Sequence, residues 1–223
     1  MFGVTNSSSY NILVQGILQH HLVETAKKYL IGNLLDIGCG TKPYKDLLSK
    51  LVDTHTGIDY SGTLHNRSNI DTFSTAYNIP FISGYFDSAI CTATLEHLEE
   101  PEYAIRECFR VMKCGGIAIY SVPFIWHLHE EPRDFYRYSK YGLDYLFKKV
   151  GFEIVEIKAL SGFWVTFGQL FVYYLNRLNK GPVRMFHLLD IPGWIIQISS
   201  FLLDKLDRAE RWTWMYMVVA RKP

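Results

Sequence analysis

Residues 33–40 read Asn-Leu-Leu-Asp-Ile-Gly-Cys-Gly, and Pro43 follows closely. An apolar run that breaks into glycines and then meets a proline predicts a strand turning into a helix. Glycine reaches backbone conformations closed to other residues, and proline suits a first helical turn. Further short strands are expected at 56–59, near 70–74, at 86–92 and at 117–122, and the last two at 152–157 and 212–220. Between them fall a helix at 101–111, ended by Gly115-Gly116, and one at 139–150 with Ser139 as its N-cap and Gly151 as its terminator. The run 117–122 is apolar on both faces, as a strand covered on each side by helices requires. The expected fold is therefore α/β: a Rossmann-like, seven-stranded, mostly parallel sheet with helices on both faces.

Two regions stand apart from this alternation. Asn6-Ser7-Ser8-Ser9 predicts a helix start, and Ile12, Leu13, Ile17, Leu18 and Leu22 recur at helical spacing until Gly32. Residues 161–210 predict an apolar insertion of two or three helices before the last strand. Residues 163–175 carry no charge, nor do 191–203, which Pro192-Gly193 interrupts, and Arg177, Lys180 and Arg184 lie between them. Such helices suit a peripheral membrane contact, a homodimer face, a cover over a greasy substrate, or simple closure of the sheet edge. Closure and dimerisation rank ahead of membrane contact. The expected organisation is a helical segment at 1–32, a core at 33–160, the insertion at 161–210 and a closing strand at 211–223.

Composition excludes several functions. The formal net charge of +1 gives no positive field for nucleic acid. Cys39, Cys91, Cys108 and Cys114 form no Cys-x-x-Cys pair, and no cluster of ligands stands out, so no metal is predicted. Isolated thiols fit a reducing compartment. With no secretory signature at residues 1–22 and no long uncharged apolar run, a cytoplasmic protein is expected, peripheral to the membrane at most.

A glycine turn at a strand end brings bare backbone N–H groups against a negative ligand group, although it also occurs as a mere connection. Asp59 ends the second strand 19 residues after Gly40 (59 − 40), where a carboxylate can take both hydroxyls of a ribose. A nicotinamide fingerprint needs a third glycine three positions after the second, and that position is Pro43. Asp36, just before the turn, fits a ligand carrying a cationic amino group. S-adenosylmethionine has such a group, a carboxylate and a ribose.

The blocks Leu35-Asp36-Ile37-Gly38-Cys39-Gly40, Gly57-Ile58-Asp59, Ile79-Pro80-Phe81 with Phe86-Asp87, and Leu95-Glu96-His97-Leu98 occur in this order. Glu107-x-x-Arg110-Val111-Met112-Lys113-Cys114-Gly115-Gly116 follows them. This series resembles the class I S-adenosylmethionine-dependent methyltransferases, over about 120 residues. The resemblance implies that Asp36, Gly38, Cys39 and Gly40 surround the methionine part and Asp59 the ribose. It also implies that Tyr60 packs the adenine and Thr92 lies beside the methionine. Lys42 stands where the family often has glycine, and the acidic residue that often takes the adenine amino group is missing, its region being Thr75 and Ala76.

After the fifth strand, residues 123–138 crowd together His127, His129, Glu130, Glu131, Arg133, Asp134 and Arg137 with several aromatics. Methyl transfer needs an aligned nucleophile and a group that removes its proton, so His127, His129 and Glu130 are the candidate catalytic residues. Asp134 and Arg137 read rather as an ion pair pinning the loop. His97 either lines the site or packs. The expected acceptor is a small molecule, a glycan or a lipid-linked compound, and the rival is a non-catalytic scaffold that binds the same cofactor.

Overall fold

The computed structural model describes residues 10–63 and 66–223, so the predicted helix start at 6–9 lies outside the described residues. The chain forms two compact units. One comprises Leu22–Phe124, Leu128–Lys158 and Tyr216–Pro223; the other has the described residues up to His21, Ile125–His127 and Ala159–Met215.

The first helix, α1, is Ile12–Tyr29. It is followed by β1 (Asn33–Ile37), α2 (Lys45–Leu48), β2 (Thr54–Asp59), β3 (Thr72–Phe73) and β4 (Phe86–Thr92). Next come α3 (Pro101–Val111), β5 (Met112–Pro123), α4 (Lys140–Val150) and β6 (Glu153–Ala159). The last elements are α5 (Phe163–Asn176), α6 (Gly181–Met185), α7 (Asp190–Leu206) and β7 (Met215–Arg221). The seven strands form one sheet in the order β3-β2-β1-β4-β5-β7-β6.

Strand β1 pairs in parallel with β2 on one side and β4 on the other, placing Asp36 opposite Gly57 and Ile90. The strand order reverses between β1 and β4, and the crevice outside the carboxyl ends of such strands is where open α/β sheets bind ligands. Gly115 and Gly116 exchange backbone hydrogen bonds with Lys222, so the start of β5 meets the end of β7 and the two run antiparallel. The Gly-Gly pair therefore does not separate α3 from its strand, as the pattern predicts; β5 already begins at Met112 and passes through it. The helix expected after the glycine turn is shorter than expected, a single turn, because the chain must return by Thr54 to pair with Asn33.

The core of this unit is apolar and closed: Leu34, Leu35, Phe86, Ile90, Tyr120 and Phe147 are fully buried. Each such side chain contributes roughly 1.5–3 kcal/mol by leaving water. The predicted caps of α4 are present, with the Ser139 hydroxyl accepting the Gly142 N–H at 3.1 Å and Gly151 in the left-handed region.

In the other unit α5 packs against α7. The α5 amino end is capped from α7: the buried Asp204 carboxylate accepts N–H groups of Gly162 (2.9 Å) and Val165 (3.3 Å), matching a negative group to a positive helix end. Pro192-Gly193 falls within the first turn of α7 and does not interrupt the helix. A cavity of about 700 Å³ is lined by apolar residues including Ile12, Leu13, Ile17, Val165, Ile198 and Phe201. Phe171, Trp194, Ile195 and Leu202 are exposed. Among the described residues no helix is long and apolar enough to cross a membrane.

Candidate functional site

The loops after β1, β2, β4 and β5 assemble the site. Gly38 (φ +68°) and Gly40 (φ +51°) both take the left-handed conformation. The N–H groups of Gly38 and Cys39 donate to the Ile58 carbonyl, at 3.0 and 3.1 Å, stitching the turn to β2. Gly38 also has no room for a side chain: a Cβ there would lie 2.3 Å from the Thr94 methyl. The Thr94 hydroxyl in turn donates to the Thr92 carbonyl, which brings Thr92 beside the turn.

Asp59 ties two loops together. One carboxylate oxygen accepts the Gly40 N–H at 2.7 Å and the other accepts the Tyr60 N–H at 2.7 Å. Each oxygen keeps a second lone pair, which is what a vicinal diol requires. Tyr60 leaves nearly half its surface exposed, and the Arg133 guanidinium stands 5.6 Å from its ring centre. Thr75 and Ala76 lie in the turn after β3, where the Thr75 carbonyl accepts from Asn78 and Ser74.

Asp36 is buried, and its partner is His55 on the neighbouring strand, Nε2 to carboxylate at 2.9 Å. Burial raises its carboxyl pKa, and His55 partly offsets that. Cys39 is buried too, its thiol pushed up to about 12 by burial and by the nearby Asp36 and Asp59 charges. Lys42 has a positive φ of 52°, consistent with the glycine often found at this place in the family. Its buried ammonium pairs with Asp71, whose carboxylate also accepts the Gly57 N–H at 2.6 Å. A Cβ on Gly57 would lie 2.2 Å from Lys42 Cε, so the buried lysine stem occupies the space that glycine leaves.

The segment after β5 folds back on the short turn Leu95–His97. The Glu96 carbonyl accepts N–H groups of Phe135 (2.9 Å) and Tyr136 (3.3 Å), and the Tyr138 hydroxyl donates to the Leu95 carbonyl at 3.2 Å. Arg137 grips Asp134 through two nitrogens at 2.6 and 2.7 Å, and Asp134 also accepts the His129 N–H at 2.8 Å. The guanidinium is the main reason the Asp134 carboxyl is held down at about 2. Asp134 and Arg137 thus pin the loop.

This fold-back buries Glu96 completely, and burial pushes its carboxyl up to about 8. Around it stand His97 and His129, whose rings meet edge to face at 4.8 Å, and Glu130, whose carboxylate lies 3.8 Å from His97 Nε2. Of the three candidate catalytic residues, His129 and Glu130 belong to this group. His127 belongs to the other unit, packed against Tyr173 (4.6 Å between ring centres) and Trp126. The Leu-Glu-His block is visible in the sequence, but nothing in it marks Glu96 as buried; that depends on a segment forty residues downstream.

Residues 35–120 match the family model for a methyltransferase domain. A ubiquinone biosynthesis O-methyltransferase of Pseudomonas fluorescens is 25% identical over 126 residues, covering 52% of each chain. The chain therefore spans about half the length of such curated relatives. Among solved structures, an S-adenosylmethionine-dependent methyltransferase of Archaeoglobus fulgidus superposes with a TM-score of 0.61 at 16% identity, covering 97% of this chain and 95% of that one. The [4+2]-cyclase SpnF superposes with a TM-score of 0.59 at 20% identity, covering 96% and 93%. These two likenesses describe the fold. Residues 35–120 thus resemble a methyltransferase domain in sequence, and the sheet that carries them has the fold of solved S-adenosylmethionine-dependent methyltransferases.

Proposed function

We propose that this protein transfers a methyl group from S-adenosylmethionine to a hydroxyl of a small-molecule acceptor. The observation that carries the reading is the Asp59 carboxylate, bonded to Gly40 and Tyr60 N–H groups at the crevice of the sheet and retaining lone pairs for a diol. The residues present fit that cofactor. Gly38 and Gly40 leave the turn open to a close approach, Asp59 would hold the ribose, and Tyr60 would offer its ring face to the adenine. Cys39, Thr75, Ala76 and Thr92 would complete the surround by backbone and small side chains. Asp36, through its pairing with His55, would set a negative field behind the turn for the amino group.

When bound, the cofactor supplies an electrophilic methyl on a sulfonium. The protein's own part is to hold the acceptor in line, exclude water and receive its proton. His129 and Glu130, at the carboxyl edge of β5, are the groups proposed for that proton, and His127 is the further candidate. The hydroxyl acceptor rests on the O-methyltransferase relatives.

Calorimetry with S-adenosylmethionine and S-adenosylhomocysteine, followed by labelled methyl transfer into a panel of phenols and a fractionated lipid and glycan extract, tests the reading. Saturable binding with label in a small-molecule hydroxyl supports it. Binding with no transfer to any fraction would favour the scaffold role, and no binding would end both.

A further inference from the structure

Glu96 poses a problem that the proposed methyl transfer does not solve. Its carboxylate is fully buried, and neither oxygen has a hydrogen-bond partner. A carboxyl taken out of water without a hydrogen-bond partner is costly, and it is carried there as the anion only when paired or bound to a cation. Two imidazole nitrogens approach it without reaching hydrogen-bond distance: His97 Nε2 at 3.9 Å and His129 Nε2 at 3.8 Å, both from Oε1.

The outer side of the His97 ring is fixed by a hydrogen bond. His97 Nδ1 lies 2.6 Å from the Arg133 carbonyl, and a carbonyl only accepts, so Nδ1 carries the hydrogen. Neutral His97 then presents the lone pair of Nε2 towards Glu96 and towards Glu130, 3.8 Å away. His129 Nδ1 is turned to the Asp134–Arg137 pair, 3.4 Å from the Asp134 carboxylate and 3.4 Å from an Arg137 nitrogen. His97, held through one nitrogen by a carbonyl while the other faces inward, has the arrangement found around bound metals, and His129 has it when Nδ1 donates to Asp134.

We propose that Glu96, His97 and His129 form a binding site for one divalent first-row transition ion. One oxygen and two imidazole nitrogens all lie within 4.8 Å of one another. Ligands at tetrahedral bond lengths stand about 3.3–3.4 Å apart, so closing on an ion asks for about half an ångström from the 3.8 and 3.9 Å separations to Glu96, and for up to about 1.4 Å between the two imidazole nitrogens. Two imidazoles select zinc, cobalt, nickel or iron over magnesium and calcium. Three protein ligands leave a position open, and Glu130 lies close enough to approach it. With the ion in place His129 Nε2 is a ligand, which leaves Glu130 to take the acceptor's proton. The site does not depend on the cofactor, so it stands or falls separately from the proposed methyl transfer.

The purified full chain, stripped with a chelator and free of cofactor, is titrated with Co²⁺ by visible absorption and with Zn²⁺ by calorimetry. One ion per chain is expected, with the intense ligand-field bands of a four- or five-coordinate site. Glu96→Gln, His97→Ala and His129→Asn should each weaken binding ten-fold or more, whereas Asp59→Ala should leave it unchanged. His129 is partly exposed, so His129→Asn remains informative even if Glu96→Gln fails to fold. Absence of saturable binding, or equal binding by wild type and His129→Asn, would overturn the site.

Discussion

The Asp59 carboxylate accepts the backbone N–H of Gly40 across two loops at 2.7 Å. This bond joins the turn after β1 to the end of β2, and its second oxygen secures Tyr60 in the same way. Asp59→Ala should therefore lower stability as well as ligand affinity, by about 1–2 kcal/mol for two partly exposed donors left without their acceptor. Thermal unfolding followed by far-ultraviolet circular dichroism measures it, and an unchanged midpoint would detach Asp59 from the turn.

Gly38→Ala places a methyl into the Thr94 side chain and onto a backbone at φ +68°. The left-handed conformation alone costs about 1–2 kcal/mol for a residue with a Cβ. The turn should shift and cofactor affinity should fall at least ten-fold. Gly38→Ala combined with Thr94→Ala, which removes both the methyl and the hydroxyl that would stand 2.3 and 2.4 Å from the new Cβ, should recover part of that loss but not the backbone cost.

Asp134→Asn keeps the size of the side chain and weakens the Arg137 grip. A loss of about 1–3 kcal/mol is expected for a buried charge-assisted pair with one partner neutralised. Limited proteolysis should then cut within 124–138 before it cuts elsewhere. A wild-type digestion pattern would show that the pair does not hold the loop.

Alkaline pH should unfold the protein earlier than neutral pH. Burial pushes the Cys39 and Cys108 thiols and the Tyr44 and Tyr173 hydroxyls up to about 12, from ordinary values of 9.0 and 10.0. In the unfolded chain these groups lose their protons first, so stability is complete below pH 9 and declines as pH rises towards 12. Denaturant midpoints across that range check the direction, and a flat profile contradicts it.

Cysteine labelling gives an independent view of the same burial. Cys39, Cys91 and Cys108 are buried and Cys114 is exposed. One equivalent of an alkylating reagent should enter the native chain at Cys114, and four only after denaturation.

Strands β1 and β4 and helix α3 occupy the residues that their patterns mark, because each is bounded by glycine, proline or a polar turn next to a continuous apolar run. The pattern misplaces the start of β5 because Gly115-Gly116 serves there as a crossing with Lys222, a contact over more than a hundred residues. The turn that Asp59 ties to β1 is legible for the same local reason: Gly38, Gly40 and Asp59, the residues proposed for the cofactor, sit at strand ends that the sequence itself punctuates. The cluster around Glu96 is not. Its burial comes from Phe135 and Tyr136 bonding back to the Glu96 carbonyl, and no local spacing encodes that return.

Calorimetric titration of the wild-type chain and Asp59→Ala with S-adenosylmethionine probes the central claim most directly. Saturable binding of one equivalent by the wild type, weakened ten-fold or more in the variant by loss of charged hydrogen bonds to the ribose, is the predicted result. No heat from the wild type at millimolar ligand, or equal affinities in the two proteins, would contradict it.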